Sequence, residues 1–163
     1  MTAMALALAL AATITFVGLW SGLLLTITTL LHPMFRAGTD RDLRLDLGRF
    51  LPVARRAPTN YVLVVGMVLA PAASLITLRD RTTSATFVLV AIGLALVLIG
   101  AVGISRWVAE PNYDVLLGWD PATPLPSGWA RARRRYFRCN WLRGAFVWTA
   151  FACFVVATAS EVA

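Results

Sequence analysis

Residues 84–107, SATFVLVAIGLALVLIGAVGISRW, decide the fold class. No charged side chain occurs between Ser84 and Ser105, and the first one reached is Arg106. A helix crosses the hydrocarbon of a bilayer in about 20 apolar residues, whereas a barrel strand needs only about ten. The run is too long for a strand and too apolar for a surface helix, so it reads as a transmembrane helix. Gly93, Gly100 and Gly103 give it a small-residue face that another helix can approach closely.

Working outward, three more such runs lie at about 5–31, 59–78 and 141–159. The composition agrees: 59% hydrophobic, 14% charged and a mean hydropathy of +0.74. A soluble domain carries about 25% charged residues. Residues 1–163 therefore read as one all-α domain, an integral membrane four-helix bundle. The first run opens on an Ala-Leu alternation, Ala5 to Leu10, of strong helix formers. It lacks a basic leading region and outlasts a signal-peptide core, so it is expected to be a retained span. Gly18 and Gly22 form a small-xxx-small pair, and His32-Pro33 is expected to end the span.

Leu43, Leu47, Phe50 and Leu51 follow helical spacing among alternating Asp and Arg, so residues 36–57 read as a short amphipathic interfacial helix, with Pro52 and Pro58 bracketing its exit. Pro71 should kink span two. The short turn Arg79-Asp80-Arg81 makes spans two and three antiparallel neighbours. A Pro-rich connection is expected from Val108 to Ser127, with Ser127 as the N-cap of a last helix starting near Gly128-Trp129.

All fifteen basic residues are arginine, and thirteen lie between Arg36 and Arg56 or between Arg106 and Arg143. Only Arg79 and Arg81 fall on the other side. Under the positive-inside rule both long connections are cytoplasmic and both termini are outside, in a multi-pass protein of the cell inner (plasma) membrane. The net charge of +7 points to anionic membrane lipid as partner and not to nucleic acid. Cys139 and Cys153 are separated by about 21 Å of rise on one helix, which no disulfide spans.

An alternating bundle gathers the polar span ends at one place. Those ends carry His32, then Asn60 and Tyr61, then Arg106, Glu110, Asn112 and Tyr113, then Arg138, Asn140 and Arg143. His32 is the only histidine and the one side chain that ordinarily exchanges protons near neutral pH, so it is the candidate base. A single histidine with no Cys or His at ligand spacing argues against a metal. Asn140 and Arg143 share a helix face. Arg143 either snorkels to the interface or orients an anionic oxygen. The run Arg131 to Arg138 reads as a lipid-facing charge belt, and Trp107, Trp119, Trp129 and Trp141 as an aromatic one.

Glu110-Pro111-Asn112-Tyr113, Trp119-Asp120-Pro121, Trp129, Arg133-Arg134-Arg135-Tyr136 and Asn140-Trp141-Leu142-Arg143 resemble the C-terminal signature of the anthrone oxygenase-like membrane family, which contains the domain of unknown function 1772. Leu31-His32-Pro33 is similar to that family's end of span one. Family members often carry His at or beside position 140, where this chain has Asn140 and Trp141. The resemblance implies an oxygenase of secondary metabolism that acts on a lipophilic aromatic or polyketide-type small molecule without a metal, flavin or other cofactor. His32 would be the base, while Asn112, Asn140 and Arg143 hold the oxyanion. Asn60, Tyr113 and Trp141 would contact substrate. The alternative is a non-enzymatic small membrane subunit, or a lipophile-binding partner of a larger complex, in a homo- or hetero-oligomer. An enzyme needs a cavity reached by both His32 and Arg143, whereas a subunit needs an exposed docking face.

Overall fold

The computed structural model describes residues 3–162. These form α1 (Ala3–Ala37), α2 (Asp40–Arg56), α3 (Pro58–Thr77), α4 (Ala85–Gly118) and α5 (Trp129–Val162), with no strand among the described residues. All but α2 are long and apolar enough to cross a membrane. The chain is an all-α, multi-pass membrane bundle. Helix α1 packs against α3 and α5, and α4 packs against the same two. The diagonal pairs, which the sequence left open, are therefore α1 with α4 and α3 with α5.

Phenylalanines set into glycines draw the helices together. A Cβ added at Gly93 would stand 2.5 Å from the Phe154 ring, and one at Gly100 would stand 2.5 Å from Phe146 Cβ, so both glycines seat α5 on α4. Gly18 receives Phe151 at 3.0 Å, and Gly66 receives Phe16. Gly22, expected to act with Gly18, faces open space.

Several expected boundaries differ. His32-Pro33 does not end α1, which passes through a π-helical turn, Ile27–Leu31, and continues as the α-helix His32–Ala37. The connection expected from Val108 is also helix. Helix α4 passes through the π-helical segments Leu98–Gly103 and Ser105–Ala109 and continues as Glu110–Gly118. In both helices a proline, Pro33 or Pro111, follows directly on a wide turn. The wide turn has already broken the regular i−4 pattern that proline would otherwise disrupt. Pro52 lies inside α2, and Pro71 lies inside α3, which runs on past it. Gly128, not Ser127, stands at the N-cap of α5, because its carbonyl accepts the first helical bond from the Ala132 N–H at 3.1 Å.

Two cores result. Leu10, Val17, Leu24, Met67, Val90, Val97, Val147 and Phe154 fill the bundle. Phe35, Leu43, Leu47, Leu51, Leu116, Trp119, Trp129 and Tyr136 form a second core where α2 packs over the ends of α1, α4 and α5. Helix α2 begins with a capping box: Thr39 Oγ1 accepts from the Asp42 N–H at 3.2 Å, and the Thr39 N–H donates to Asp42 at 2.9 Å. Arg44 then donates to the carbonyls of Trp119 (2.9 Å) and Leu117 (2.5 Å), binding α2 to the end of α4. At the opposite end of the bundle, Arg81 donates to both carboxylate oxygens of Glu161, at 3.0 and 2.8 Å.

Candidate functional site

Between the two cores lies a cavity of about 500 Å³, lined by all five helices. The three π-helical segments all border it. Ile27 comes from the first, Ala101 and Val102 from the second, and Ser105, Arg106 and Ala109 from the third. A π turn changes the angular spacing of side chains, and such turns recur at functional sites. Trp20, Leu23 and Leu24 of α1, Phe50 and Leu51 of α2 and Val64 of α3 complete an apolar wall. Exposed Val53 and Arg106 mark where the cavity reaches the surface.

The opposite wall is polar. Tyr136, Asn140 and Arg143 are spaced i, i+4, i+7 on α5 and share one face, with Tyr113 and Glu110 of α4 beside them. Arg143 Nη1 donates to Asn140 Oδ1 at 3.3 Å and to Tyr113 Oη at 3.4 Å. Both contacts are longer than the usual 2.7–3.2 Å for such bonds. The Nε of Arg143 is buried without a protein partner, and no carboxylate lies within 4.0 Å of this guanidinium among the described residues. A guanidinium has five N–H donors and keeps its charge in proteins. Here most of that capacity is unused, beside an apolar chamber where charge interactions are strengthened.

Arg55, also on the cavity, likewise leaves its Nε without a partner, but its Nη2 is held by carboxylates. It pairs with Glu110 at 2.6 Å and Asp114 at 3.2 Å, and lies 5.6 Å from the Tyr113 ring centre. Burial works against its charge, but the bonds to Asp114 and Glu110 outweigh that and hold its pKa above the ordinary value. The two arginines therefore differ in their pairing: Arg55 clamps α2 to α4, whereas Arg143 has no carboxylate within 4.0 Å among the described residues.

The expected site residues divide. Asn140, Arg143, Tyr113 and Asn60 line the cavity. Asn60 donates through Nδ2 to the Ala54 carbonyl at 2.6 Å, which fixes the corner between α2 and α3. His32 does not line it. Its ring is 1% exposed and packs edge-on to Phe137 at 4.8 Å and against Tyr136 at 5.5 Å, with neither nitrogen hydrogen-bonded to protein. Because α1 stays helical through position 32, the imidazole packs on α5, and Tyr136, which lines the cavity, stands beside it. Asn112 is likewise off the cavity, donating to the Ala132 carbonyl at 3.0 Å and tying α4 to α5. Trp141 lies on the outer face of α5, edge-on to Trp148 at 5.9 Å.

Sequence reasoning missed Tyr136, Trp20 and the Arg55 clamp. The 136–140–143 spacing was a usable signal for Tyr136, obscured by the surrounding arginines. Nothing in the apolar run around Trp20 marks it. Both cysteines are free, and no group of three His, Cys, Asp or Glu among the described residues is placed to hold a metal. The arrangement offers two arginines without a carboxylate within 4.0 Å among the described residues, exposed Arg106 at the mouth and half-buried Arg143 on the polar wall. Arg143, at the edge of the apolar chamber, suits a lipophilic ligand with an anionic oxygen. Comparison with known proteins gives no match to a family, a curated protein or a solved structure.

Proposed function

We propose that this protein takes a lipophilic aromatic or polyketide-type compound with an acidic oxygen from the bilayer and promotes its oxidation, as in the anthrone oxygenase-like family whose motifs it resembles. What carries the reading is Arg143, a guanidinium without a carboxylate partner beside an apolar cavity of about 500 Å³. Ligand pockets typically have volumes of about 300–1,000 Å³. Arg143 would bind the phenolate or enolate oxygen, and Asn140 Oδ1 would hold the guanidinium in place. A fixed cation in a low-dielectric site favours the ionised form of the ligand. The resulting electron-rich anion would then react with dioxygen. Because His32 stands off the cavity, this scheme relies on Arg143 to promote ionisation, with the proton released to solvent. In the membrane of the cell, the arginine asymmetry would put this end of the bundle in the cytoplasm and both termini outside.

The position of His32 also favours a second reading, a lipophile-binding protein or small subunit that performs no chemistry. One experiment separates the two. The purified protein in detergent micelles is titrated with a dihydroxyanthrone, and oxygen consumption is followed in parallel. Binding with oxygen uptake is expected. Arg143→Met is expected to weaken binding at least tenfold, since a hydrogen bond to a charged group contributes about 1.5–3 kcal/mol. Arg143→Lys should recover little of it, because lysine lacks the planar fork. Binding without oxygen uptake selects the second reading. Full affinity in Arg143→Met removes the oxyanion role of Arg143 and with it the first reading, whereas no binding of the anthrone by the unaltered protein removes the first reading and the lipophile-binding form of the second.

A further inference from the structure

We infer that the outer face of α5, with the end of α1, is a binding groove for one anionic glycerophospholipid, separate from the internal cavity. The groove has a volume of about 860 Å³. Its α5 side is a single stripe at helical spacing: Arg133, Arg134 and Arg138, then Trp141, Leu142 and Ala145. The stripe changes from cationic to apolar along the helix in the direction in which α5 becomes a membrane span. A phospholipid has the same order, with an anionic phosphodiester followed by an acyl chain.

The charge balance selects the headgroup. Arg133 is paired with Asp40, the only acidic residue of the groove, at 3.2 Å. Arg36 reaches in from α1 and lies 4.5 Å from the centre of the Phe137 ring. Arg134 and Arg138 have no carboxylate within 4.0 Å among the described residues. One face thus presents three guanidiniums without carboxylate partners and no free acid. A zwitterionic headgroup would bring its own cation against them, whereas a net-negative phosphodiester meets only donors. Exposed Trp141 and Leu142 provide an apolar path for the chain directly beyond the arginines.

The test uses the full-length protein in nanodiscs of phosphatidylcholine with increasing phosphatidylglycerol, and counts retained lipid by native mass spectrometry. Two variants carry the same charge loss: Arg134→Gln with Arg138→Gln in the groove, and Arg131→Gln with Arg135→Gln on the same segment but outside it. The groove pair is expected to lose phosphatidylglycerol about thirtyfold, equivalent to about 2 kcal/mol at about 1 kcal/mol per arginine. The outside pair should change it less than threefold. Ala145→Trp, which obstructs the apolar part, should weaken the phospholipid and leave binding of free glycerol phosphate unchanged. Equal losses from the two arginine pairs would reduce the groove to a diffuse charge belt. Equal retention of phosphatidylcholine, or glycerol phosphate binding as strongly as the lipid, would also overturn the assignment.

Discussion

Replacing Gly93 by alanine tests the way the bundle closes. The new Cβ would stand 2.5 Å from Phe154 Cε1 and 2.6 Å from Cζ. Carbon atoms pack at about 3.5–4.0 Å, so the overlap is about 1 Å. Phe154 is wholly buried and has no solvent to swing into. Overpacking of this kind costs about 1–3 kcal/mol, offset by about 1 kcal/mol of helix propensity gained over glycine. The control is Gly22→Ala, where an added Cβ meets nothing within 4 Å. Propensity is common to both changes, so their difference isolates the packing term and should be about 1–3 kcal/mol. Reversible unfolding in mixed micelles measures it. Phe154→Leu, destabilising alone, should be partly rescued by Gly93→Ala, with a coupling of at least about 0.5 kcal/mol. Equal stability of Gly93→Ala and Gly22→Ala, or strict additivity in the cycle, would refute the socket.

Three other outcomes are expected. A cysteine at Asp80, in a background lacking Cys139 and Cys153, should react with an impermeant maleimide added outside intact cells, and one at Arg131 should react only after permeabilisation; the reverse pattern inverts the topology. Arg55→Met removes the pairs with Glu110 and Asp114 and should loosen α2 by about 1–2 kcal/mol, given that pairs of this kind span about 1 kcal/mol when exposed to 3–5 when buried; hydrogen exchange in α2 that stays at the wild-type rate would contradict the clamp. Asp42 is held below the ordinary aspartate range, first by the Thr39 hydroxyl and then by the Thr39 N–H. Its folded value is depressed, so its contribution is complete above the ordinary value and disappears as pH falls through the lower one. Amide protection at the start of α2 should follow that fall, and Asp42→Asn should abolish the pH dependence.

Sequence alone determined the class of this protein, because crossing a bilayer is a local requirement. Twenty uncharged apolar residues must be helical wherever they pack, and residues 84–107 met that condition without reference to the rest of the chain. The arginine distribution was equally local, and so was the amphipathic spacing of Leu43, Leu47 and Leu51. Prolines were misread because their effect depends on the hydrogen-bond pattern around them. Pro33 and Pro111 follow π-helical turns, which no propensity announces, and so α1 and α4 run past them. The polar wall was half legible: Asn140 and Arg143 are joined by helical period, and Tyr113 lies at a neighbouring helix end. His32 was assigned by chemistry alone, and only the tertiary structure placed its ring on Phe137 and Tyr136 instead of on the cavity. Which helices are diagonal, which glycines receive a phenylalanine and which arginines find a carboxylate are pairwise facts between distant segments. A periodic pattern says which face of a helix is buried, but the partner on that face is chosen only when the bundle closes.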